Sequence, residues 1–354
     1  MARIIFKNSI MNRTLISGRL LVFIPILFCA DLNASSICAS SKPTFITQLD
    51  KVYFADSDLR IFYTDNGLNA ISSIRDENRN NVPDYIENIA IQANSVRRAW
   101  NHLGYQDPLN SPRYKDIEYI DIHVRKLNGL GLAYDKPHRH TNHPIKKNAC
   151  ALILEVNSNI ANFTTESSLV SHELFHLYTY GYTMFKQPWL TESIAAWSEG
   201  LITKGNLGAY GQRKLPNTVH ELNKYVLART YKSSQLWNRL TLILDQSKGQ
   251  LHLPSNISHA RYVDGQPVFR DQSLKGSLFI RTFLENLSKQ DKYLSRHNNW
   301  RPYEWKESLQ RSSALNVELF SVLLKTIDLS SNQNKELRKF EFVLNSYINN
   351  EKIK

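Results

Sequence analysis

The chain has 354 residues, of which 42% are hydrophobic and 21% charged, and its formal net charge is +12. This is ordinary globular composition, with length for one large or two modest domains. Three cysteines exclude a disulfide-dense scaffold, so the hydrophobic core must supply the stability. The positive charges are spread along the chain, and no zinc-finger, RNP or basic-zipper pattern occurs, which argues against a nucleic-acid partner. The basic balance suits anionic surfaces or acidic substrates without choosing between them.

The N-terminus reads as a secretion signal over residues 1–34. Arg3, Lys7, Arg13 and Arg19 form a basic leader, and Leu20 to Ala30 is the apolar core. That core, interrupted by Pro25, is short for a membrane span, which needs about 20 residues. The expected location is secreted or periplasmic, with no stable membrane span after cleavage; an uncleaved anchor is the alternative. Small residues place cleavage after Ala34 or Ala39. In the first case Cys38 stays and can pair with Cys150; in the second Cys150 is alone.

Residues 35–55 are rich in Ser and Thr and read as a loosely held entry segment. Leu59 to Thr64 predicts a strand, closed by the Asp65-Asn66-Gly67 turn. Asp76 to Glu87 (DENRNNVPDYIE) follows. Counted from Asp76, oxygen side chains stand at loop positions 1, 3, 5, 9 and 12, namely Asp76, Asn78, Asn80, Asp84 and Glu87, and Val82 at position 7 offers a carbonyl. This is the spacing of a calcium loop. Asn81 replaces the usual Gly at position 6, and Pro83 is atypical. An Asx-rich turn leading into a helix is the other reading, with Asp84 near the helix start. Ca2+ is therefore an open expectation.

Tyr85 to Leu103 predicts a helix stopped by Gly104. Ile117 to Val124 predicts a strand with Ile120, Ile122 and Val124 on one face and Asp121 and His123 on the other, an ordinary polar strand face. Residues 135–148 hold His138, His140 and His143 and read as a solvated basic loop, since no carboxylate or Cys framework accompanies them. Ala149 to Val156 predicts a strong strand.

The densest signal is Ser171 to Gly200. His172-Glu173-Leu174-Phe175-His176 is an HExxH pattern. On a helix, residues four apart lie one above the other, so two imidazoles can meet one metal ion while Glu173 reaches its water; this is a zinc-hydrolase arrangement. Val170, Leu174, Leu177 and Tyr178 form a separate apolar stripe, and Gly181 suits the helix end. Pro188 then opens a second helix. Catalytic zinc takes three protein ligands and keeps one position open, and Glu192 on that second helix is the natural third.

HExxH followed after a short gap by W-x-x-E-x-x-A-x-W-x-E (Trp189 to Glu199) resembles the gluzincin metallopeptidases. The resemblance implies His172, His176 and Glu192 as Zn2+ ligands and Glu173 as general base. Glu199, one heptad past Glu192, is either an acceptor that fixes a ligand His or an exposed helix Glu. Family members usually carry Gly where Ser193 stands. FYTDNGLNA, the Asp76 loop and Leu103-Gly104-Tyr105 extend the similarity to secreted bacterial members, over roughly residues 60–285. It implies an α+β, zincin-like fold: a mixed sheet with the metal-binding helix over residues 35–181, and a mostly helical C-terminal subdomain over 182–354 carrying the third ligand. It also implies that a polypeptide substrate adds as a strand to Ala149–Val156.

The family's oxyanion donor, a Tyr or His, has six candidates here: Tyr210, Tyr225, Tyr231, Tyr262, His220 and His259. Val219–Thr230 and Ser233–Leu244 predict helices, Gly249–Arg270 a long loop bordering the cleft, and Leu274–Leu287 an apolar helix. Lys275 stands where relatives often have Tyr. A final helix holds Leu337, Phe340, Leu344, Tyr347 and Ile348 at core spacing. The expected activity is hydrolysis of peptide bonds. A non-catalytic protein with a retained metal site, and a zinc amidase acting on cell-wall peptides, are the alternatives. Nothing in the residues sets the oligomeric state.

Overall fold

The computed structural model describes Cys38 and residues 48–140, 149–161, 163–203, 213–230, 234–270, 273–330 and 334–353. The signal segment, both cleavage points, His143, Tyr210 and Tyr231 lie outside the described residues. Residues Ser36–Lys354 pack as one unit. Among the described residues no helix is long and apolar enough to cross a membrane.

The architecture is α+β, built on a mixed sheet. Its strands are β1 (Lys51–Asp56), β2 (Leu59–Tyr63), β3 (Tyr119–Arg125), β4 (Gly131–Ala133), β5 (His138–His140) and β6 (Ala149–Asn157). The order is β1-β2-β3-β6-β4, with β5 also paired to β6. β2, β3 and β6 run parallel, while β1, β4 and β5 are antiparallel to their neighbours. Parallel strands covered on both faces carry near-continuous apolar runs, and β2 and nearly all of β6 are buried.

Two helices position the sheet against the site. α1 (Asp84–His102) buries Ile86, Ile89, Ala93, Val96 and Trp100, at the spacing of one helix face. After the short α2 (Phe163–Glu166), α3 (Leu169–Tyr182) is buried along almost its whole length. It packs on α1, β4 and β6, so it is a core element rather than a surface one. α4 (Pro188–Ser198) follows a short turn, with Pro at its first position. The regular elements that follow among the described residues are helical: α5 (Val219–Leu222), α6 (Ser234–Leu244), α7 (Ser255–Ser258), α8 (Ser277–His297), α9 (Glu307–Gln310), α10 (Asn316–Asp328) and α11 (Lys335–Ile353).

Several expectations change. The entry segment ends in a true strand, β1, because Lys51 to Asp56 finds β2 through a hairpin. His138–His140 is strand β5 rather than loop, since β6 offers it backbone partners. Gly181 stands one residue before the end of α3, and a Cβ there would stand 3.3 Å from that of Ser111, so it serves close packing as well as the helix end. Val219–Thr230 is a single α-turn continued by a π-turn at Asn223–Leu227. The loop over 249–270 contains α7 and is tied by a bridge between Arg261 and Pro267. α10 carried no sequence expectation.

The polar face of β3 is not solvated. Arg60 donates two hydrogen bonds to the Asp121 carboxylate, each 2.8 Å, and both side chains are fully buried. His123 sits edge-on to Phe62. Cys38 and Cys150 form a disulfide, which closes a long loop onto the start of β6 and so removes chain entropy from the unfolded state.

Candidate metal centre

α3 presents His172, His176 and Tyr180 at four-residue intervals, hence on one face. The turn from Thr183 to Gln187 reverses the chain so that α4 brings Glu192 back to that face. The ligand atoms converge: His172 Nε2 and His176 Nε2 are 3.2 Å apart. Glu192 Oε2 lies 3.6 Å from the first and 3.5 Å from the second. Ligand atoms about 2.0–2.1 Å from a tetrahedral zinc stand about 3.3 Å from one another, so the donor set fits such an ion. Among the described residues this is the one group of three or more His, Cys, Asp or Glu side chains that converges in this way.

Glu199 is part of the site. Its Oε1 is 2.8 Å from His172 Nδ1, and its other oxygen accepts from the Ser168 hydroxyl at the start of α3. A proton held on Nδ1 leaves the Nε2 lone pair for a metal. Burial alone would lower the His172 pKa, but hydrogen bonds to Glu192 and Glu199 raise it to about 10. Burial would raise Glu192; the two imidazoles outweigh it and hold the carboxylate well below its usual range. Each partner thus stabilises the charge of the other; a cation at this point would favour the same carboxylate and take the place of the imidazole's proton.

Glu173 is 6% exposed. Burial pushes its carboxyl up, the imidazoles pull it down, and Glu192 and Glu199 add to the rise. A carboxylate moved towards neutral pH is suited to proton transfer. Its wall is Gly131 on β4: a Cβ there would meet Glu173 Oε1 at 2.7 Å and Leu169 Cδ1 at 2.8 Å. No sequence signal marks Gly131, because it reaches Glu173 only through the pairing of β4 with β6.

The α3–α4 turn is anchored by a network of polar and charged side chains. Asp291 of α8 accepts from the Met184 N–H at 2.6 Å and the Thr183 hydroxyl at 3.1 Å. Arg113 donates to the Tyr180 carbonyl at 2.9 Å and to Asp135 at 2.6 Å. Lys186 bridges Asp135 and Glu307, 2.7 Å to each. These groups come from four distant segments, and sequence reasoning missed all of them. Ser193, the departure from the family pattern, accepts a 2.7 Å hydrogen bond from Trp237 of α6, so its hydroxyl ties α4 to α6. Lys275, the second departure, accepts from the Trp197 indole through its carbonyl.

The remaining candidates fall elsewhere. Tyr262 is buried and accepts from Gln92 Nε2 at 2.6 Å. Gln92 also donates to the Ser167 carbonyl, so Tyr262 supports the entry to α3. Tyr225 stacks under Arg213, and His220 and His259 are exposed. In the Asp76 loop, the Asp76 carboxylate accepts from the N–H groups of Asn80 and Asn81, and Asn78 and Asn80 donate to Glu87. Asn80 Oδ1 accepts from the Val82 N–H. Asp84 turns instead to the Glu77 N–H. Asn81 adopts the left-handed backbone that a Gly would take at its position.

The strand expected to receive substrate is closed. β6 pairs with β3 along one edge and with β4 and β5 along the other. The outer strand on the Glu173 side is β4; its Leu132 is 48% exposed, and Leu130 just before it 65%. The chain matches no protein-family model, no curated protein and no solved structure.

Proposed function

We propose that the protein is an exported zinc-dependent hydrolase of peptide bonds, zincin-like in architecture and gluzincin-like in its ligands. The observation that carries the reading is the gathering of His172 Nε2, His176 Nε2 and Glu192 Oε2 within 3.2–3.6 Å of one another, next to a buried carboxylate from Glu173. Zinc in such a set supplies Lewis acidity and lowers the pKa of a water from about 15.7 to about 7. Glu173, raised by burial, takes the proton of the attacking water and returns it to the leaving amine. Glu199 keeps His172 in the tautomer that offers Nε2. A polypeptide adding to the outer edge of β4 would run past Glu173, its backbone paired and its side chains alternating between the cleft and solvent. A structural metal site needs no base, so the buried Glu173 favours the hydrolase over a non-catalytic metal protein.

The test is zinc content together with turnover of unfolded protein substrates. The parent should hold one zinc and lose activity to a chelator. Glu173→Gln should keep the zinc and fall in kcat by about 100- to 10,000-fold. Parent-like turnover by that variant would remove Glu173 from its role.

A further inference from the structure

The two imidazoles are not held in the same way. His172 has Glu199 on its Nδ1. His176 Nδ1 is buried and meets no hydrogen-bond partner among the described residues. A ligating imidazole almost always has its second nitrogen fixed by an acceptor, so the His176 ring needs another restraint.

Tyr180 supplies one. It follows His176 by four residues and lies over it on the same helix face. The two rings are stacked, centroids 5.7 Å apart and planes 14° from parallel. Tyr180 is itself fixed. Its side chain is buried, its carbonyl accepts from Arg113 at 2.9 Å, and the Lys186 ammonium stands 5.9 Å from its ring centroid. Lys186 is in turn held by Asp135 and Glu307. The chain of contacts runs from two carboxylates through an ammonium and a phenol to the imidazole.

We propose that Tyr180 is a positioning residue of the metal centre: its ring holds the His176 imidazole in the rotation that turns Nε2 towards His172 and Glu192. Stacking does for His176 what the Glu199 hydrogen bond does for His172. The inference rests on the metal reading above and deepens it, since it assigns the restraint of each ligand to a different kind of contact. The hydroxyl has no part in it; the plane of the ring does.

The experiment measures zinc affinity by chelator competition, and the visible spectrum of the Co2+-substituted protein, for the parent, Tyr180→Phe, Tyr180→Leu and Glu199→Gln. Tyr180→Phe keeps the plane and should match the parent in both readouts. Tyr180→Leu should weaken zinc binding about tenfold, within the range that loss of a ligand's orienting partner costs, and should broaden the Co2+ spectrum. Glu199→Gln serves as the hydrogen-bond counterpart and should fall by about ten- to a hundredfold. If Tyr180→Leu does not fold, Tyr180→Met fills the buried slot without a plane and carries the same test. Parent-like affinity in a folded leucine or methionine variant overturns the proposal. So does a phenylalanine variant as weak as the leucine one. A parent that takes up no zinc overturns the metal centre itself, an outcome distinct from a parent that binds zinc and does not depend on Tyr180.

Discussion

Two stretches of this chain carry metal-ligand spacing, and the fold treats them differently. In the α3–α4 pair the candidate ligands ride on two buried helices, and the helices bring three donor atoms from two elements to one point. In the Asp76–Glu87 stretch the polar groups are close in sequence and free to satisfy one another. Asp76 caps the N–H groups of Asn80 and Asn81, and the Asn amides spend their protons on Glu87. Asn and Asp side chains compete for local backbone donors in this way. Convergence imposed by rigid elements leaves charge that asks for a partner, whereas a polar loop can supply its own.

The largest effect that would break this contrast lies at Glu173. Gly131→Ala places a Cβ where Glu173 Oε1 and Leu169 Cδ1 now stand. A misplacement of about 1 Å costs about 100-fold in rate, so kcat should fall by that order while zinc content holds. An alanine variant with parent kcat would show that β4 does not fix the carboxylate.

The next effect concerns the turn between the ligand helices. Burial pushes the Asp291 carboxyl up to about 8, although its hydrogen bonds from Met184 and Thr183 oppose the shift. The unfolded value is near 4, about 3.9, so the folded state binds this proton more tightly. Its contribution is fully present below the unfolded value and is lost as pH rises through about 8. Asp291→Asn removes that loss. Its melting temperature, relative to the parent, should rise between about pH 4 and about pH 8, the window set by those two values. A difference that is flat across this window would mean the carboxyl titrates normally.

The smallest effect belongs to the loop. Asp76→Ala removes the acceptor for two backbone N–H groups and should cost about 1 kcal/mol, with zinc content unchanged. A turn held by its own hydrogen bonds also predicts that calcium leaves the parent's melting temperature where it was. A rise of several degrees on adding calcium, abolished by Asp76→Ala, would restore the cation-loop reading and put the two stretches on the same footing.

Much of the α+β order was legible beforehand, for physical reasons that can be named. β2 and β6 are largely apolar runs, β3 alternates apolar and polar residues, α1 repeats its apolar residues at helical spacing, and all of these are local properties of the chain. His172, Glu173 and His176 were legible because one turn of helix is enough to bring them together. Glu192 was legible as a carboxylate on the next helix; Glu199, one heptad on, was legible only as one of two readings, and its contact with His172 Nδ1 chose between them. Tyr180 sat at the same four-residue spacing as the ligands and could have been found by extending that spacing one turn.

By itself, then, the sequence determined whatever depends on neighbours within a turn or two of helix, or within one strand: the elements, the HExxH face, and the helix bearing Glu192. Only the tertiary structure decided that β4 is the outer strand beside Glu173, that Gly131 walls that carboxyl, that Arg60 and Asp121 bury each other, and that Asp291, Arg113 and Lys186 anchor the α3–α4 turn. Those contacts join residues tens to more than a hundred positions apart, and no local period or composition records which distant side chain will arrive at a given point in a packed core.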